Sequence, residues 1–227
     1  MGGTAVRGIL PLSVPADDAA ALLRDQVAAF VAACSELTDL ELLAPARCHG
    51  WSRVDTVVHV RLGLEELLAA WVARTAEPAT RDAASYWSGH PDGRDEDPVP
   101  HILWLRRTAS AYTRPARAVH HLKVVAGSLT AALDHLAPGS VAFQGMVLSV
   151  GDLLATWVVE LAVHQLDLDV EAPPTPGALA LTRRTLEAVA GGPLPAGLDD
   201  SQAVLVALGR VPWPVGVEPV THLPVSL

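Results

Sequence analysis

One stretch of the sequence gathers the groups best able to do chemistry. Leu153, Trp157, Glu160, His164 and Asp167 follow one another at steps of four, three, four and three. On a helix that spacing places all five on one face. The first part of the stripe is apolar and the second part is ionisable. A stripe turned toward a core does not end in Glu and His unless something offsets their desolvation. Glu160 and His164 are one turn apart, so both side chains reach a common point. A divalent cation at that point would satisfy both, with a carboxylate oxygen and an imidazole nitrogen at about 2.0–2.2 Å. Glu-x-x-x-His pairs also arise by chance on solvated helix faces. Here Trp157, Val158, Val159, Leu161, Val163, Leu166 and Leu168 leave almost no polar face, which marks a central helix.

A catalytic tetrahedral site takes three protein ligands and keeps one position open. His59 is the best third ligand, set among Val57, Val58 and Val60. Its competing interpretation is a hydrogen-bonded core histidine. Asp55, His59, Leu62 and Glu66 form a stripe of their own, so Asp55 or Glu66 could also reach a buried cation. His49 and His90 fall in loops, and His101, His135 and His222 at segment ends. His120 and His121 are adjacent and cannot share one site. Cys34 lies on the apolar stripe of the first helix, as a small core residue. Cys48 precedes His49 in a loop, and a reactive thiol there is the lesser expectation.

The elements that must hold these groups are helical. Apolar residues at three- and four-residue spacing predict a first helix from about Asp17 to Leu43. Ser52 and Asp55 open a second, running to about Ala76. A turn-rich loop spans 77–100 and includes His90-Pro91-Asp92-Gly93 and the acidic run Asp95, Glu96, Asp97. A helix from His101 to Thr113 follows, then one from Pro115 to about Leu136. Val141 to Val150 reads as an apolar connection. Ser149 and Asp152 start the helix that ends near Asp169. EAPPTPG, residues 171–177, reads as a linker, and Thr175-Pro176 opens a helix to Ala190. A short helix covers Ser201 to Leu208, and an extended tail follows. The expected fold class is all-α, a four-helix bundle with a short helical and extended C-terminal tail. The bundle covers residues 15–170, and the linker and small extension cover 171–227.

Composition narrows the partners. Sixteen basic against 25 acidic residues give a net charge of −9, with no basic run, so nucleic acid and anionic membranes are not expected partners. No apolar window is long enough for a membrane span. Two cysteines do not make a disulfide framework. The start of the chain is neither a good signal peptide nor a transit peptide, so a cytoplasmic location is expected. Apolar helices and an uncharged tail make a homodimer a reasonable expectation.

Two segments carry a resemblance. Residues 48–68, CHGWSRVDTVVHVRLGLEELL, and 155–169, ATWVVELAVHQLDLD, resemble the DinB-like metalloproteins, and most of all the mycothiol-dependent maleylpyruvate isomerase branch. The likeness covers roughly residues 15 to 170. It implies a DinB-like bundle in which His59, Glu160 and His164 fall on the zinc ligands. Asp167 falls on the aspartate that follows them, and Trp51 on a tryptophan. It also implies the thiol cofactor mycothiol. A thiol bound to zinc is deprotonated near neutral pH and becomes a nucleophile without a dedicated base. Its addition to an activated double bond allows rotation and elimination, giving cis–trans isomerisation of a small-molecule substrate; on other electrophiles it gives S-transfer. Asp167 is expected to orient His164 or a nearby water. Isomerase members carry a substantial second domain, whereas about 55 residues follow the bundle here, with Arg183, Arg184 and Arg210 as their basic groups. Two other functions keep the same residues: a non-catalytic bundle that binds a small molecule or protein, and a metal-dependent hydrolase without a thiol.

Overall fold

The computed structural model describes residues 8–89, 97–220 and 223–225. His90, the acidic pair Asp95 and Glu96, and His222 lie outside the described residues. The chain forms α1 (Ala16–Ser35), α2 (Asp39–Leu42), α3 (Arg53–Ala70), β1 (Arg74–Thr75), a 3-10 turn at Trp87–Gly89, α4 (Val99–Ser110) and α5 (Pro115–Leu133). Then come β2 (Ser140–Phe143), β3 (Met146–Ser149), α6 (Val150–Asp167), α7 (Pro176–Ala190) and α8 (Asp200–Ala207).

The protein is mostly helical, but the all-α expectation needs correcting. β1, β2 and β3 form a small antiparallel sheet in that order. The segment read as an apolar connection is the β2–β3 hairpin. Gln144 and Gly145 both take positive φ at its tip, as a two-residue hairpin turn of matching twist requires. The hairpin escaped a periodicity reading because Met146, Val147 and Leu148 are all buried. With both faces covered, no alternation of polar and apolar residues is left to read. The first helix is also shorter than expected. Thr38 and Glu41 form a capping box that starts α2 afresh after a break at Glu36. The second helix stops at Ala70, and the chain then extends into β1.

The four long helices enclose a common core. α1 packs on α5 and α6, and α3 packs on α5 and α6. α6 is the most enclosed: every one of its residues except Glu160 is buried. That follows from its sequence, which is apolar nearly all round. Ser149 caps its start, and Asp152 accepts the backbone N–H of Val14, tying the incoming chain to the helix.

The C-terminal segment joins the same core. Ala178, Leu181, Leu186, Ala203 and Val204 belong to one hydrophobic cluster with the α1–α6 core. The segment 171–175, linker-like by composition, is pinned by two buried glutamines. Gln26 donates to Gln165 at 2.8 Å and accepts from the Thr175 backbone, while Gln165 donates to the carbonyls of Ala172 and Pro173.

One close approach bears directly on the site. The outer atoms of the Trp157 ring lie against α3 where Gly63 has no side chain. A Cβ at Gly63 would sit 2.2 Å from the indole. Gly63 is one turn beyond His59, and Trp157 is one turn before Glu160, so this contact sets the spacing of α3 and α6 beneath the ionisable groups. Gly63→Ala is expected to destabilise the protein by about 1–3 kcal/mol, through overpacking. Gly127→Ala, in open space on α5, is expected to stabilise it by about 0.4–1 kcal/mol. Urea unfolding of the two variants checks the contrast, and a neutral Gly63→Ala would contradict it.

Candidate metal centre

The C-terminal end of α6 is held by the segment that precedes α3 and by the first residue of α3. Arg47 donates its backbone N–H to the Asp167 carbonyl at 2.8 Å and its guanidinium to the Leu166 carbonyl. Arg53 donates to the carbonyls of Leu168 and Asp169. Two cations thus meet the last carbonyls of a helix, where both hydrogen bonding and the helix dipole favour them. This clamp lays residues 47–51 across the ionisable end of α6 and brings Cys48 and Trp51 against His164.

The structure brings His59, Glu160 and His164 together. One ligand atom from each lies within 4.8 Å of the others. His164 Nε2 is 3.3 Å from Glu160 Oε2. A tetrahedral ion with bonds of about 2.0–2.1 Å has ligand–ligand edges of about 3.3 Å, so this pair already stands at a tetrahedral edge. The His59 and His164 rings meet edge to face, with centroids 4.7 Å apart. Two imidazoles and one carboxylate are a donor set suited to zinc, and the residues fit such an ion.

Asp55 and Glu66 are not part of this cluster. Asp55 accepts the backbone N–H and hydroxyl of Ser52 as the partner in the α3 capping box. Glu66 accepts from Gln144 at the hairpin tip. A stripe shared with His59 did not guarantee a shared destination.

Asp167 is fully buried. Its Oδ2 lies 3.2 Å from His164 Nδ1. The two nitrogens of His164 therefore have separate tasks: Nδ1 faces Asp167, and Nε2 faces Glu160 and the metal position. A carboxylate behind a ligating imidazole fixes its tautomer and ring plane. Cys48 donates its thiol to Asp167 Oδ2 at 2.9 Å, and Arg210 donates Nε to Asp167 Oδ1 at 3.0 Å. Burial by itself would raise the Asp167 pKa, but His164, Arg210 and Cys48 together hold it below the usual carboxylate value. Burial likewise opposes the imidazolium of His164. Asp167, Cys48 and Glu160 overcome it and hold the pKa well above 6.5. For Cys48 burial wins over His164 and Arg210, and its pKa is raised.

Three neighbours were not identified as site residues from the sequence. His101, on α4, has its ring 6.2 Å from that of His59 and 5.9 Å from Trp51. Cys48 touches Asp167, and Arg210 reaches in from beyond α8. The proximity of Cys48 to Trp51 in the chain was a usable signal; nothing local marks His101 or Arg210. Trp51 stacks on His164, with centroids 5.9 Å apart and planes 21° apart, and lies 5.0 Å from the His59 ring. Beyond it, a cleft of about 760 Å³ opens between residues 43–55 and α4, lined by Cys48, Trp51, Arg106 and Tyr112 among others.

The fold and this cluster define a helical protein with a two-histidine, one-carboxylate centre at the end of its central helix. The profile of the mycothiol maleylpyruvate isomerase N-terminal domain matches residues 23–169, and the chain belongs to that family. Among solved structures, the fold is similar to the mycothiol-dependent maleylpyruvate isomerase, with a TM-score of 0.54 at 15% identity over 78% of this chain and 70% of that one. It is similar also to a histidine-to-alanine variant of such an isomerase, with a TM-score of 0.53 at 16% identity over the same shares. No curated protein sequence matches significantly. No helix among the described residues is long and apolar enough to cross a membrane.

The raised His164 pKa fixes a pH dependence for the metal-free protein. The folded state holds the proton more tightly than the unfolded chain. This stabilisation is fully present below pH 6.5 and is lost as the pH rises through the raised folded value. His164→Asn is therefore expected to remove stability at low pH and to cost progressively less as the pH rises. Urea titrations of both metal-free proteins across that range check the slope, and a difference that grows with pH would contradict it.

Proposed function

We propose that the protein is a zinc-dependent enzyme that uses a thiol cofactor such as mycothiol to isomerise, or transfer sulfur to, a small electrophile. The observation that carries this reading is the convergence of His59, Glu160 and His164 in a chain of the isomerase N-terminal domain family. We read the α1, α3, α5 and α6 core as the DinB-like four-helix bundle of that family, with residues 171–227 as its extension.

His59, Glu160 and His164 would hold the metal, leaving a fourth position for a small ligand. Zinc bound there supplies Lewis acidity that favours the thiolate form of a thiol near neutral pH. The chain does the rest. Asp167 keeps the His164 proton on Nδ1, so that Nε2 presents its lone pair. Trp51 covers the His164 ring and limits water on that side. The 760 Å³ cleft beyond Trp51 lies within the size range of small-molecule sites. Cys48 is no substitute for an incoming thiol. It is buried, its pKa is raised, and its hydrogen is directed to Asp167.

Metal analysis of protein prepared without chelators is expected to find about one zinc per chain. His164→Ala and Glu160→Gln should each weaken zinc binding at least about 100-fold, more than loss of an outer hydrogen-bond partner does. Isomerisation of maleylpyruvate, or S-transfer to other small electrophiles, should require both zinc and mycothiol. Protein that holds no divalent ion, with His164→Ala making no difference, would overturn the reading. Hydrolysis of a substrate with zinc but without any thiol would favour a hydrolase instead.

A further inference from the structure

Two clusters of potential ligands share His164. One is His59, Glu160 and His164; the other is Cys48, His164 and Asp167. By donor chemistry alone the second could also take a metal, since thiolate, imidazole and carboxylate are all ligands. The structure has already given that place to a cation. The Arg210 guanidinium lies 3.0 Å from Asp167 Oδ1 and 3.7 Å from Cys48 Sγ. A metal ion there would meet a fixed like charge at close range.

Arg210 reaches this point through the C-terminal helix. α8 is seated on α6 and α7 by Ala203, Val204 and Ala207. Gly209 takes a left-handed conformation, with φ of 65°, just past the end of α8. The Arg210 backbone N–H then returns to the Leu205 carbonyl at 2.8 Å. A glycine at this position turns the chain without the strain another residue would meet, and the turn aims the Arg210 side chain at the end of α6.

Asp167 makes contacts on both carboxylate oxygens. Oδ2 faces His164 Nδ1 and the Cys48 thiol, whereas among the described residues Arg210 supplies the hydrogen bond to Oδ1. We infer that Arg210 is a positioning residue for the metal centre: it fixes the Asp167 carboxylate in the orientation that holds His164, so the C-terminal segment completes the site. This rests on the metal-centre reading above. Arg210 would act only through Asp167, so its effect must vanish when Asp167 can no longer respond.

The test is a double-mutant cycle read by zinc affinity in chelator competition. Arg210→Ala is expected to weaken zinc binding about 10-fold or more, in the range for outer partners of metal ligands. Arg210→Lys should recover part of that loss. In an Asp167→Asn background, Arg210→Ala should change the affinity less than about twofold, because the shared route is already broken. An Arg210→Ala protein that folds and binds zinc like the wild type would overturn the inference. So would an equal loss in both backgrounds, which marks general destabilisation. If Arg210→Ala does not fold, Arg210→Gln, which keeps much of the side-chain length, carries the same comparison. A wild type that binds no zinc would instead sink the metal-centre reading, and the inference with it.

Discussion

The structure depends on one constraint: α6 is buried along almost its whole surface yet ends in ionisable residues. A helix enclosed by α1, α3, α7 and α8 leaves only Glu160 partly exposed and buries His164 and Asp167. Desolvating a carboxylate costs several kcal/mol unless it is paired and hydrogen-bonded. Each of these groups therefore needs partners from elsewhere in the chain. α3 brings His59, the segment before α3 brings Cys48 and Trp51, and the turn after α8 brings Arg210. The site is where distant parts of the sequence meet that need.

His164 divides the solution in two. On its Nδ1 side the negative charge of Asp167 is balanced by a guanidinium and a thiol hydrogen, all within the protein. On its Nε2 side stand Glu160, 3.3 Å away, and the His59 imidazole, with one ligand atom of each of the three residues within 4.8 Å of the others. This asymmetry separates a position completed by the chain from one suited to an external cation. It also accounts for the placement of Cys48: a buried thiol beside a carboxylate serves as a hydrogen-bond donor, and its reactivity is suppressed.

The similarity to the isomerase structures, at 15–16% identity, is a similarity of fold. Within this chain, two packing arrangements hold the site in place. The seat of Trp157 on Gly63 fixes the separation of α3 and α6. The arginine clamp on the end of α6 fixes the loop that carries Trp51. Both are local steric or electrostatic arrangements, and both decide where the ionisable groups stand.

The amino-acid sequence by itself determined much of this. The helix of residues 150–167 was legible because its apolar residues run all round, and Glu160 and His164 because they break that run. His59 was legible as a histidine among valines. The caps at Ser52, Ser149 and Thr175 marked where helices begin, since their hydrogen bonds are local. The hairpin was hidden because both faces of β3 are covered, so its residues carry no alternation. Asp55 and Glu66 shared a face with His59, but a capping box and the hairpin tip claimed them. Only the tertiary structure decided that His101, Cys48 and Arg210 surround the centre. Arg210 lies 43 residues from Asp167 in the chain, and that meeting is set by how α7 and α8 pack on α6. Spacing on one helix reports which side chains share a face; it carries no record of what the fold brings to that face from elsewhere.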